Sequence, residues 1–161
     1  MPAALGAVLV VTGCAGLGLA ALYRLIARVK VLSAFMLLAD RLGGEIGFFL
    51  TPLPELPERL PELRRFWEVM DYRPYGAETY QQAWSRAAES LDITEADRSL
   101  VREIGGVLGR YDAENQTRTL SLLRKQLEIS LSIARENRAK YGRLYGMLGL
   151  LGGILLVVIF I

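Results

Sequence analysis

Two stretches decide the fold: Ala3–Leu22, AALGAVLVVTGCAGLGLAAL, and Leu144–Ile161, LYGMLGLLGGILLVVIFI. Neither contains a charged residue over its 20 or 18 positions, and all 19 basic and 17 acidic residues of the 161-residue chain lie between Arg24 and Arg143. At about 1.5 Å per residue the first stretch makes roughly 30 Å of helix and the second roughly 27 Å, close to the thickness of a hydrocarbon core. An ordinary soluble domain does not divide its charge in this way. The expected plan is a transmembrane helix over residues 1–23, a cytoplasmic helical bundle over 24–143 and a second transmembrane helix over 144–161.

The flanks of both stretches fit that plan. Tyr23, Tyr141 and Tyr145 stand at the inner boundaries, where aromatic belts form. Arg24, Arg28 and Lys30 follow the first stretch, and Arg135, Arg138, Lys140 and Arg143 precede the second, against Glu136 alone. Positive flanks stay inside, so the middle is expected in the cytoplasm. A cleaved signal peptide is the rival reading, and the absence of a basic region before the apolar run speaks against it. Val11-Thr12-Gly13-Cys14 has the outline of a lipoprotein cleavage box. Apolar sequence continues through Leu22, however, so an inert thiol in a span is the better reading of Cys14. Gly6, Gly13, Gly16 and Gly18 in the first stretch and Gly146, Gly149, Gly152 and Gly153 in the second allow close backbone approach. Either the spans pack on each other or on partner spans, a homo-oligomer included, or the glycines are simply those common in membrane helices.

Between the spans the apolar period is helical. Residues 25, 29, 32, 36, 39, 42, 46 and 49 alternate steps of three and four, and nothing breaks the chain from Tyr23 to Gly43. The first span is therefore expected to run on as one helix, with Gly43, Gly44 and Gly47 as weak points near its end. Thr51-Pro52 offers a cap followed by a proline at the first helical position. Leu56, Leu60, Leu63, Trp67 and Met70 form the next stripe, which Pro61 must kink or restart. A third stripe holds Tyr80, Ala83, Trp84, Ala87, Ala88 and Leu91. A fourth, opened by Thr94 and Asp97 and stopped at Gly109, holds Leu100, Val101, Ile104, Val107 and Leu108. Asp112 can cap a fifth helix, striped at Leu120, Leu123, Leu127, Leu131 and Ala134, which should feed the second span. The fold class is all-α, a small antiparallel bundle on two membrane legs with Trp67 and Trp84 as core anchors.

Chemistry is sparsely provided. The sequence has no His and one Cys, which excludes a disulfide framework and a Cys/His zinc cluster. A net charge of +2 gives no ground for nucleic-acid binding. Gly105-Gly106 lacks the lysine of a phosphate loop. The acids read as scattered over solvent faces, so no catalytic residue, cofactor or metal is assigned. Glu45 flanks an apolar stripe and could pair with an arginine, while Glu55, Glu58 and Glu62 share one helix face and could meet a basic partner. A membrane-anchored small-molecule sensor or enzyme would instead need a polar cavity inside the bundle.

Glu45, followed by Thr51-Pro52-Leu53-Pro54-Glu55, resembles the signature of the stage III sporulation protein AB family of endospore-forming bacteria. Trp84 stands where that family has a tryptophan. Gly105, Leu108, Gly109, Asp112 and Gln116 are similar to its "LG, then D, then Q" segment, Gln126-Leu127 recurs further on, and Lys140-Tyr141 with Leu144 resembles its juxtamembrane run. Pro57, Pro61, Gly142 and Tyr145 depart from the pattern. The resemblance extends over nearly the whole chain. It implies a structural subunit of the channel complex between mother cell and forespore, in the outer forespore membrane on the mother-cell side. It also implies similarity to the inner-membrane platform protein of type II secretion. A platform of that kind would dock the complex's ATPase, stage III sporulation protein AA, and contact its other membrane subunits.

Overall fold

The computed structural model describes residues 2–48, 63–73, 78–108 and 113–160. They form five helices with no strand among them: α1 (Pro2–Phe48), α2 (Arg64–Met70), α3 (Tyr80–Glu89), α4 (Glu95–Val107) and α5 (Ala113–Phe160). The expected continuity of the first and last helices is observed, since α1 carries the apolar stretch straight on into the charged middle and α5 runs from the middle into the C-terminal stretch. Gly43, Gly44 and Gly47 lie within α1 rather than interrupting it. Among the described residues, α5 is the one helix long and apolar enough, by length and composition, to cross a membrane.

The short helices show how local sequence fixes their ends. α2 begins directly after Leu63 and closes at Asp71, whose φ of 28° lies in the left-handed region and whose N–H reaches the Trp67 carbonyl at 3.1 Å. Aspartate tolerates that conformation better than most residues. α3 opens on a capping box that the sequence reading did not name: the Thr79 hydroxyl accepts from the Gln82 N–H at 3.3 Å, and Gln82 Oε1 accepts from the Thr79 N–H at 2.9 Å. α4 opens as expected, the Thr94 hydroxyl accepting from the Asp97 N–H at 3.3 Å.

The chain divides into two compact units, Arg28–Ser132 and the pair of terminal segments Met1–Ala27 with Ile133–Ile161. The core of the Arg28–Ser132 unit gathers Leu32, Phe35, Leu38 and Leu42 of α1, Phe66 and Met70 of α2, the Ala83/Trp84/Ala87/Ala88 face of α3, Val101 and Ile104 of α4, and Leu120, Leu123, Leu127 and Leu131 of α5. Burying each of the larger side chains contributes about 1.5–3 kcal/mol. The stripes of α3, α4 and α5 fall where the periodicity placed them. Two others shift. On α1 the buried line passes through Phe35 and Leu38 and leaves Met36 half-buried at its edge, because a 3.6-residue period slides off a strict alternation of threes and fours. On α2 the fully buried aromatic is Phe66, and Trp67 is half-buried beside it.

In the terminal unit α1 and α5 pack antiparallel through glycines. A methyl group on Gly142 would meet Leu22 Cδ1 at 3.2 Å, one on Gly18 the Tyr145 carbonyl oxygen at 2.5 Å, one on Gly149 the Cys14 carbonyl oxygen at 2.9 Å, and one on Gly153 Val11 Cα at 2.9 Å. Gly13, Gly16 and Gly152 face open space. Of the glycine pattern, Gly18, Gly149 and Gly153 therefore make a helix–helix contact within the chain, and Cys14 lies on that contact.

Candidate functional site

The sequence-selected residues that the structure brings together are Trp84 and Gly105, and Leu108 closes the helix of Gly105. All three are buried. α3 presents Trp84 to α4 across small residues, and the indole lies on Gly105, where any Cβ would overlap the ring. Glycine at 105 thus permits the approach that lets Trp84 Nε1 donate to the Val101 carbonyl at 2.7 Å. A buried indole N–H left without an acceptor is costly, so α4 supplies both the space and the acceptor. Phe66 stacks edge-on against Trp84 at 4.9 Å and against Phe35 at 5.2 Å, tying α1, α2 and α3 to the same ring. Trp67 and Tyr80 flank it at 6.1 and 5.8 Å. Burial, followed by the neighbouring Tyr72, pushes the Tyr80 phenol above its ordinary range. The Tyr80 hydroxyl and Trp67 Nε1 are buried with no hydrogen-bond partner among the described residues.

One acid departs from the expectation that the acids lie on solvent faces. Asp97 is 1% exposed, and its carboxylate takes the Arg28 guanidinium at 2.7 and 3.3 Å and the Thr94 hydroxyl at 2.7 Å. Burial alone would raise its pKa. Hydrogen bonds from Arg28, Thr94 and Ser130, together with the Arg28 charge, overcome that and hold the carboxyl below the usual carboxylate range. The same pair revises the reading of the basic flank, because Arg28 is committed to a carboxylate from another helix. Asp97 is thus a buried acid paired with an arginine, the arrangement that the sequence suggests for Glu45, whose side chain lies outside the described residues. The signal was present in the sequence, since Thr94 and Asp97 mark a cap and a cap leaves a carboxylate beside the helix start.

On the surface of this unit, Arg98 and Arg102 of α4 bridge Glu89 of α3 and Glu95, with Arg102 to Glu89 at 2.8 Å and Arg98 to Glu95 at 2.7 Å. Hydrogen bonding from Arg102 lowers the Glu95 pKa. Arg124 of α5 pairs with Asp40 of α1. Gln116 and Gln126 lie on α5, half-buried and exposed respectively, and Tyr141 is half-buried further along the same helix. Thr51, Pro52, Leu53, Pro54, Glu55, Glu58, Glu62, Gly109 and Asp112 lie outside the described residues, as does the side chain of Glu45, whose backbone belongs to α1.

The comparisons with known proteins agree with the motif reading. The family profile described as Stage III sporulation protein AB matches residues 3–161. A curated relative, Stage III sporulation protein AB of Bacillus subtilis (strain 168), is 24% identical over 128 residues, covering 73% of this chain and 75% of that protein. No solved structure matches. Since the profile extends across both charge-free stretches and the Trp84–Gly105 core between them, the chain belongs to the stage III sporulation protein AB family.

Proposed function

We propose that this protein is a two-span membrane subunit of the sporulation channel complex between mother cell and forespore, with the Arg28–Ser132 unit as a cytoplasmic platform that docks the complex's ATPase. Family membership supports the sporulation role. The observation that carries the membrane plan is the register of α1 against α5. Leu22, the last residue of one charge-free stretch, lies opposite Gly142, two positions before the other begins, and Gly18, Cys14 and Val11 follow opposite Tyr145, Gly149 and Gly153. The two charge boundaries therefore stand at one level, as two helices crossing a single bilayer require.

The platform role rests on the family resemblance and on how the Arg28–Ser132 unit is built. Its interior is closed by aromatic packing and by the Arg28–Asp97 pair, and its charged residues lie mostly on helix surfaces, where they can meet another protein. The acidic residues Glu55, Glu58 and Glu62 are the proposed contact for a basic patch on the ATPase. The test is affinity capture of the full-length chain from sporulating cells of its native host, with and without Glu55→Lys, Glu58→Lys and Glu62→Lys together. The ATPase should be recovered with the wild type and lost, or made insensitive to salt, with the reversal. Equal recovery would remove this face as the contact, and recovery of no ATPase with the wild type would remove the platform reading.

A further inference from the structure

Where the charge boundaries of α1 and α5 coincide, the terminal unit has a crevice of about 570 Å³. Its walls are Leu22 and Ile26 of α1 and Gly142 of α5, and its rim carries Arg135, Arg138 and Arg143. Three arginines thus line one opening. All three residues are exposed, and none of their side chains has a hydrogen bond or an ion pair among the described residues, whereas Arg28, Arg64, Arg86, Arg98, Arg102 and Arg124 each hold a carboxylate. Glu136, the acid next to this cluster in sequence, does not line the crevice.

We propose that this crevice binds the phosphate head group of an anionic phospholipid. The assignment rests on the membrane reading above, which places the opening at the surface of the bilayer. Guanidinium groups suit phosphate because they are planar, always charged and able to donate two hydrogen bonds at once. The Leu22 and Ile26 wall supplies the second half of the recognition. Helical spacing continues it through Leu19, which is exposed, toward the apolar end of α1, so a lipid whose phosphate lies among the arginines has an apolar surface along which to lay an acyl chain. A soluble acidic peptide would satisfy the arginines and leave that wall without a counterpart. The placement matches basic pockets between membrane helices at the cytoplasmic side, where each basic residue adds to the attraction of anionic head groups.

The test uses the full-length chain in nanodiscs containing phosphatidylglycerol and phosphatidylcholine, with lipid retained on the protein after transfer to detergent measured by native mass spectrometry. Wild type should retain phosphatidylglycerol over phosphatidylcholine. Replacing Arg135, Arg138 and Arg143 together by Gln should reduce that retention by about tenfold, whereas the equal charge loss of Arg65→Gln, Arg118→Gln and Lys125→Gln should leave it unchanged. Retention equal in both triple variants would overturn the proposal, as would displacement of the lipid by inorganic phosphate or by poly-glutamate at matched charge. Extraction by alkaline carbonate separates the two levels of inference. A chain released from native membranes would undo the membrane reading, while a chain that stays inserted and shows no lipid preference would undo the crevice alone.

Discussion

Gly105→Ala places a methyl group inside the Trp84 indole, so either α4 must withdraw from α3 or the ring must leave the Val101 carbonyl. Overpacking of this kind costs about 1–3 kcal/mol, and denaturant unfolding should show it as a lower midpoint with little change in slope. Gly106→Ala, whose added methyl meets nothing within 4 Å, should be neutral or stabilising in the same measurement. At Asp97 the expected effect depends on pH. Its folded-state pKa lies below its unfolded value, so its contribution is fully present above the unfolded carboxyl pKa of about 3.9 and is lost as pH falls through the folded value. Asp97→Asn should therefore destabilise at neutral pH and reduce the slope of stability against pH in the acid range. Arg28→Gln should cost about 3 kcal/mol, since it strands a buried carboxylate, and replacing both residues by apolar ones should recover much of that loss.

At the scale of elements, Thr79→Ala should cost about 1 kcal/mol by removing the hydroxyl half of a capping box, with Thr94→Ala costing more because the Thr94 hydroxyl also holds Asp97. The α1–α5 contact can be tested covalently. A Cβ on residue 153 would lie 3.4 Å from Cys14 Cβ and 2.9 Å from Val11 Cα, so a small withdrawal of the two helices, which relieves the backbone contact, brings the Cβ pair into the range of about 3.5–4.5 Å found in disulfides. Under mild oxidation Gly153→Cys should form an intramolecular bond, seen as a faster band on a non-reducing gel, and Gly152→Cys should not. Most elements could be read in advance. The α3, α4 and α5 stripes were legible because their alanines, leucines and isoleucines repeat at a clean helical period, and the continuity of α1 and α5 because no proline interrupts them. The Thr79–Gln82 cap was not recognised, since it precedes a stretch whose apolar residues are mostly alanine. Phe66 cannot be told from Trp67 as the anchor, because adjacent large aromatics leave the phase of a seven-residue helix undetermined. The Trp84–Gly105 contact was legible as two motif residues but not as a pair, because they are joined only when α3 and α4 pack.

For the molecule as a whole, the charge distribution expects the Arg28–Ser132 unit in the cytoplasm. On a Cys14→Ser background, Ser99→Cys, at an exposed position of α4, should resist a membrane-impermeant thiol reagent added to intact cells and react once the membrane is opened. Ready labelling of intact cells would invert the topology. The aromatic cluster has a further consequence for experiment. Both tryptophans of the chain, Trp67 and Trp84, stand 6.1 Å apart within the Arg28–Ser132 unit, and the terminal unit has none. Intrinsic indole fluorescence is therefore blind to the terminal unit, whereas far-ultraviolet dichroism records the helices of both. Followed together during unfolding in detergent, the two signals would coincide if the units melt as one and separate if the glycine-packed terminal unit outlasts the other, so the native chain reports its own cooperativity without an added label.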